Sequence, residues 1–324
     1  MSILLFILIV GALLHVFSGS IAISLSSIVN GLDAQQALVM WELRLPRLLL
    51  VMVVGAGLAV SGVALQAMFR NPLAEPGLIG VSSSAALGAV FVMVLGSHFW
   101  HEVHYWQLGL VAFISAALAT LFIYSIATRL GKTDVALMLL AGVAINAIAG
   151  AATQLLISVS DDNQLRSVTF WMMGSFANVD WIAVIIVSLV TFIISVLMWR
   201  LAKPLNAFML GENICMHMGY DPAKLKWQVM WGTAFMVGIS VATVGVIGFV
   251  GLVVPHIVRL WVGSDHRRLI PLSALAGAIL LVFADWVAKT LISPAELPIG
   301  LLMALLGGPF FLAMLLKQRK GWIK

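Results

Sequence analysis

Apolar runs fill most of this chain, and short polar stretches separate them at intervals of about one membrane thickness. A crossing helix needs about 20 predominantly apolar residues. The runs at 2–20, 47–68, 80–97, 108–129, 135–158, 181–200, 228–248, 270–291 and 298–316 each predict one. A further run, Leu252–Val262 (LVVPHIVRLWV), is short and reads either as a brief crossing or as a re-entrant segment. The pattern predicts an all-α integral membrane protein of about ten transmembrane helices, with 1–324 as a single membrane domain. The first run, MSILLFILIVGALLHVF, lacks the basic flank of a signal peptide and reads as an uncleaved helix.

Lys and Arg set the orientation. With the N-terminus in the cytoplasm and every segment crossing, most cations collect inside, among them Arg129, Arg200, Lys203, Arg267, Arg268 and Lys320. Only Arg44, Arg47, Arg166 and Lys289 fall outside. That is the positive-inside bias, and it places both termini in the cytoplasm. If the short run did not cross, the basic C-terminal tail would fall outside. It is therefore kept as a short crossing, tolerated because protein surrounds it.

Composition agrees with the pattern. The chain is 62% hydrophobic and 10% charged, with a mean hydropathy of +1.10, which excludes an ordinary soluble domain. The net charge of +5 reports orientation rather than nucleic-acid binding. A single cysteine, Cys215, excludes an internal disulfide.

A weak internal repeat lays Val54–Val63 (VGAGLAVSGV) on Val237–Val246 (VGISVATVGV), Pro72 on Pro255 and Gly80 on Gly263. It would relate predicted helices 2–5 to 7–10 in opposite senses, as inverted repeats do in transporters. Chance matching of small residues is the alternative reading. The sets Gly245, Gly248, Gly251 and Ala56, Ala59, Gly62 have the spacing of a helix-packing stripe.

Candidate chemistry is sparse. Gly131-Lys132-Thr133 resembles the tail of a Walker A loop, but Ile126 stands where the motif needs glycine. His98, His101 and His104 have the spacing of a metal site, yet HEVH is one residue short of HExxH, and neighbouring Trp100, Tyr105 and Trp106 read better as interfacial aromatics. Asp285 is the acid well inside a predicted span, and Lys289, four residues on, suits it as a partner on the same helix face. One paired acid is thin ground for an ion-coupled carrier, and no His, Asp, Glu or Cys set converges as a membrane enzyme would need. The polar-interrupted segment at about 203–227 (LNAFMLGENICMHMGYDPAKLK at its centre) stands out instead. It reads as a handle by which a separate ATP-hydrolysing subunit grips and moves the helices.

Several blocks together resemble the permease subunits of bacterial import systems for iron-siderophores, haem and vitamin B12. They are RLPR (Arg44–Arg47), NPLAEPGLIG (Asn71–Gly80), GFVGLVVPHIVR (Gly248–Arg259), DHRR (Asp265–Arg268) and ELPIG (Glu296–Gly300). WELRLPR, WMMG (Trp171–Gly174), VDW (Val179–Trp181) and PAELPIG are most similar to the members that carry vitamin B12. The resemblance implies a type II ABC importer permease in the bacterial inner membrane. It implies a second copy of the chain as partner, two ATP-binding cassette ATPase subunits below and a periplasmic binding protein above. ATP and Mg would be bound by the ATPase, so this chain would hold no cofactor, and it would meet lipid but no nucleic acid.

By the same resemblance Arg44, Arg47 and Lys289 match outer cations that pair with glutamates of the binding protein. Lys289 stands where the vitamin B12 members have Arg, and it loses the bidentate geometry. Glu212, Cys215, Gly219, Tyr220 and Asp221 fall in the coupling segment that meets the ATPase. Asn71 and Leu73 match one element of the inner gate. The other falls at Asp134, Val135 and Ala136, where small hydroxyl residues would be expected.

Overall fold

The structure, a computed structural model, describes residues 1–19, 21, 23, 27, 31–99, 105–129, 132–177 and 179–321. The helices in chain order are α1 (Ser2–Phe17), α2 (Ala34–Met68), α3 (Val81–Phe99), α4 (Tyr105–Ala127), α5 (Val135–Ser158) and α6 (Asp162–Met172). They continue with α7 (Trp181–Arg200), α8 (Ala202–Met209), α9 (Glu212–His217), α10 (Pro222–Val244), α11 (Val250–Val262), α12 (His266–Thr290) and α13 (Ile299–Gly321). A two-stranded antiparallel ribbon, β1 (Thr128–Arg129) and β2 (Lys132–Thr133), joins α4 to α5 with Thr128 opposite Thr133.

Among the described residues, 7 helices are long and apolar enough to cross a membrane: α2, α3, α4, α5, α7, α10 and α12. Three shorter apolar helices, α1, α11 and α13, account for the other hydrophobic runs. Each predicted span falls on one of these helices. The second begins earlier than hydropathy indicates, at Ala34 rather than residue 47, because the polar WELR stretch is wound into a π turn over Val39–Arg44. Amphipathic α6 is also new; Asp161 and Gln164 close its start with a capping box.

Helix α2 is the axis of the fold. Leu50, Val51, Val54, Ala59, Val60 and Val63 are fully buried, and α2 packs against α12, α10, α7 and α11. The approach to α12 and α11 is made backbone to backbone. A Cβ on Gly55 would strike the Gly277 carbonyl, and one on Gly62 would strike the Gly251 carbonyl. The working stripe is therefore Gly55, Ala59 and Gly62, offset by one residue from the Ala56 stripe of the sequence reading. The other expected stripe does not form, because Gly245 and Gly248 lie in the non-helical link between α10 and α11.

The outer helices present apolar surface. Leu140, Ile148 and Leu155 on α5 and Ile182, Ile185 and Phe192 on α7 are exposed. Helices with an apolar exterior are suited to lipid or to a covering partner, not to water.

At two of the prolines inside helices, Pro255 and Pro271, the freed carbonyl is recovered by a donor from another helix. Pro255 leaves Gly251 O without its helical donor, and Gln66 Nε2 of α2 donates to it at 3.2 Å. Gln66 Oε1 in turn accepts from Arg259 Nη2 at 2.9 Å. Pro271 frees Arg267 O, to which the Trp199 indole donates at 3.2 Å. Freed backbone groups in a lipid-soluble core need such substitutes. Gln66 is 1% exposed, so Gln66→Leu leaves two buried partners unmade and is expected to cost about 1–3 kcal/mol. Thermal unfolding in detergent reads this as a lower midpoint; an unchanged midpoint would remove Gln66 from that role.

At the fixed offset that joins Val54 to Val237, α2 falls on α10, while α3 falls on α12 and α11 falls on the loop after α2.

Candidate functional site

Three places hold the residues singled out by sequence. The first is the end of α1. Asp285 of α12 is 1% exposed and accepts from Arg47 Nε at 2.8 Å and Nη2 at 3.0 Å. His15 Nε2 is 2.8 Å from Oδ2, the same oxygen that accepts from Arg47 Nε. The expected Asp285–Lys289 pair is thus replaced by a tertiary one, because the α2 guanidinium offers a bidentate fork that a lysine on the same helix cannot match. Lys289 Nζ instead donates to the His15 carbonyl and lies 3.4 Å from His15 Nδ1.

Arg44 donates to the Val16 carbonyl at 2.7 Å and to the Ile21 carbonyl. Arg44 and Lys289 thereby cap the carbonyl end of α1, where cations are favoured. The third edge of Arg47, Nη1, donates to the exposed Glu296 at 2.8 Å. Arg47 thus has two acidic partners within the chain, Asp285 and Glu296. Sequence reasoning missed His15 and Glu296 here, although Glu296 stood inside the quoted ELPIG block.

The second place is the segment α8–α9. Gly211 and Gly219 bracket α9 with positive φ, 125° and 83°, which lets the chain turn sharply at both ends. Asp221 caps α10, accepting from Ala223 N at 2.9 Å and Lys224 N at 3.2 Å. Tyr220 packs against the core. Cys215 is fully buried, and burial pushes its thiol pKa up; its side chain faces inward, away from any partner. Glu212 pairs with Lys226 at 2.8 Å. Apolar residues that the sequence reading did not single out, Leu210, Ile214, Met216 and Met218, are exposed here, alongside Asn213 and His217.

This segment also holds the start of α12. Asn206 Nδ2 donates to Asp265 Oδ1 at 2.7 Å, and Asn206 Oδ1 accepts from His266 N at 3.0 Å. The Asn206 hydrogen bond, with the Arg267 N–H, holds the Asp265 carboxyl below its ordinary pKa.

The third place comprises the two stretches expected to form an inner gate. Asn71 Oδ1 accepts from Leu73 N at 2.9 Å and fixes a tight turn. Leu73 packs with Leu252, Val253 and Met314 of α11 and α13. Asp134 caps α5, accepting from Ala136 N at 2.8 Å and Leu137 N at 3.1 Å; Val135 is half-buried and Ala136 exposed. Asp134 thus has a local structural task, for which a small hydroxyl residue is an ordinary substitute.

The quoted blocks converge elsewhere as well. Ser175 N donates to Val244 O at 2.9 Å, Ile299 N to Gly174 O at 3.1 Å and Gly300 N to Met173 O at 2.9 Å. WMMG, the end of α10 and ELPIG are thereby stitched together by backbone bonds. Below them, the Phe249 N–H at the start of α11 donates to the Glu75 carboxylate of the NPLAEPGLIG loop. Among the described residues no group of His, Cys, Asp or Glu is placed to hold a metal ion. His101, His104 and Gly131 lie outside the described residues.

A family model described as the FecCD transport family matches residues 6–317. The chain is 41% identical to the hemin transport system permease protein HmuU of Yersinia pestis over 98% of this chain and 95% of that one. It is 44% identical to the vitamin B12 import system permease protein BtuC of Salmonella typhi over 89% and 87%. Among solved structures, a metal-chelate type ABC transporter in an inward-facing conformation superposes with a TM-score of 0.88, at 32% identity over 97% of both chains. PsaBC from Streptococcus pneumoniae, at 18% identity and a TM-score of 0.56, shares the fold. From residue 6 to residue 317, then, motifs and architecture agree, and the chain belongs to the FecCD transport family of ABC-transporter permeases.

Proposed function

We propose that this chain is the translocation subunit of an ATP-driven importer that carries vitamin B12 across the bacterial inner membrane. Two copies form the path, two ATPase subunits dock below and bind ATP and Mg, and a periplasmic binding protein docks above. Ten segments cross, with both termini cytoplasmic. The short crossing is α11 completed by Gly245–Phe249, and the donors from Ser175 and to Glu75 at its two ends support that reading.

The observation that carries the proposal is the outward face of α8–α9. Leu210, Ile214, Met216 and Met218 are exposed at short intervals along a segment that is held from behind by Cys215, Tyr220 and Asn206. An apolar face on a polar side of the protein calls for a partner, and methionines adapt to one. The rigid backing lets a push on that face reach α10 and α12.

On the outer side Arg47 carries binding-protein docking in this reading. Its Nη1 is held by an exposed carboxylate that a partner's glutamate can replace, whereas Arg44 and Lys289 are engaged with α1 carbonyls.

Vitamin B12 is favoured by the WELRLPR, WMMG, VDW and PAELPIG blocks. Internal neutralisation of Arg47 by Asp285 and Glu296 also leaves few fixed charges for a large amphipathic ligand to meet. Haem is the second reading, supported by 41% identity to HmuU across nearly the whole chain. The test is uptake into vesicles containing the permease with its cognate ATPase and binding protein. ATP-dependent accumulation of labelled cobalamin, with none of haem or ferric siderophore, is expected. Accumulation of haem or siderophore in place of cobalamin would overturn the substrate assignment.

A further inference from the structure

A buried lysine links the coupling segment to both gate elements. Lys226 lies in the second turn of α10 and is 2% exposed. Its ammonium donates to the Thr133 carbonyl at 2.9 Å and meets Glu212 Oε1 at 2.8 Å. It also lies 5.7 Å from the ring centre of Phe208 in α8. The Arg70 guanidinium lies 5.6 Å from the same ring centre, and Phe208 is fully buried.

These contacts connect elements that are far apart in sequence. Glu212 begins α9, and Phe208 belongs to α8. Thr133 immediately precedes Asp134, whose carboxylate caps α5. Arg70 immediately precedes Asn71 and has a positive φ of 47°, a conformation unusual for a residue with a side chain. The ammonium and the guanidinium are each within cation–π range of one ring.

An ammonium taken out of water is costly unless its donors are satisfied. Here the carboxylate, the backbone carbonyl and the ring surround it, so a shift of α9 or α8 leaves it uncompensated unless Lys226 and Thr133 follow; Arg70 is tied to the same movement through the Phe208 ring. A merely packed apolar residue would impose no such requirement.

We infer that Lys226 is a positioning residue through which α8 and α9 set both inner-gate elements, the turn at Asn71 and the start of α5 at Asp134. The inference rests on the coupling role given above to α8–α9 and on the gate positions, and it names the side chain that joins them. Lys226 touches no substrate; it acts through Thr133 and, by way of Phe208, through Arg70.

The test uses the complete assembly of permease, ATPase and binding protein in proteoliposomes, with ATP hydrolysis and uptake measured in parallel. For Lys226→Met, uptake per ATP hydrolysed is expected to fall about three- to tenfold while hydrolysis continues, the scale seen for residues within coupling networks. Lys226→Arg keeps the donors and the charge and is expected to recover much of the ratio. Phe208→Leu removes the ring but keeps an apolar side chain; it should lower the ratio as well and provides a second arm if Lys226→Met does not fold.

A ratio unchanged in the folded variants overturns the inference. So does a proportional fall of uptake and hydrolysis that Lys226→Arg fails to relieve, because that marks a purely structural residue. Ile214→Asp separates the two levels of the proposal. If it leaves hydrolysis and uptake unaltered, the coupling role of α8–α9 fails; if it abolishes both while Lys226→Met keeps the ratio, only the link through Lys226 fails.

Discussion

Gly62→Leu is expected to abolish recovery of folded protein from the membrane. Two effects oppose each other at this position. Replacing a glycine inside a helix gains about 1 kcal/mol of helix propensity. Against that, a Cβ at Gly62 runs into the carbonyl, the carbonyl carbon and the Cα of Gly251. Overpacking costs about 1–3 kcal/mol where neighbouring side chains can move aside; here the neighbour is backbone, and α11 must move as a body.

Such a shift cannot stay local. It carries the Gly251 carbonyl away from Gln66 Nε2 and the Phe249 N–H away from Glu75. The steric cost therefore exceeds the propensity gain. The check is monodisperse yield after detergent extraction. A wild-type yield from Gly62→Leu would mean that α2 and α11 do not meet backbone to backbone.

Asp285→Ala carries the second large effect. The carboxylate is shared by Arg47 and His15, and His15 is fully buried. Its removal leaves a guanidinium and an imidazole facing an empty position. Truncating one partner of a buried ion pair costs about 3–5 kcal/mol, a large share of a typical folding stability of about 5–15 kcal/mol.

The loss should centre on α1, which packs mainly on α12. Trp286 Nε1 to Ser18 Oγ at 2.9 Å and the Arg44 and Lys289 contacts add to its polar attachment. A sharp fall in the detergent unfolding midpoint is expected, with faster proteolysis around residues 15–19. An unchanged midpoint together with lost transport would contradict the structural role and return Asp285 to consideration as an intramembrane functional acid.

The spans were legible because a lipid-soluble run is a local property of sequence. The beginning of α2 was not, because WELR is polar by composition and is made helical by burial of Met40 and Arg44 against neighbouring segments. Charge pairing was misjudged for a related reason: Lys289 is near Asp285 in sequence, while Arg47 and His15 reach it only once α2 and α1 have packed on α12.

In the segment at 203–227 the polar letters drew attention, yet Cys215 turns inward, Asp221 serves as a cap, and Leu210, Ile214, Met216 and Met218 are exposed. Nothing in residue type alone separates an inward Cys215 from an outward Met216; the turns at Gly211 and Gly219 decide it. Lys226 did not stand out within the 203–227 segment, since Thr133 and Arg70 are far from it in sequence. Gln66 and Trp199 were invisible for the same reason, although Pro255 and Pro271 announce that two carbonyls need donors from somewhere.

The most direct measurement places the purified chain in sealed vesicles with its binding protein and follows solute accumulation with and without the partner ATPase. Accumulation against a gradient is expected only when the ATPase and ATP are both present. Uphill transport by the chain without the ATPase, or transport sustained by an ion gradient in the absence of ATP, would contradict the assignment of all driving force to the cytoplasmic partner.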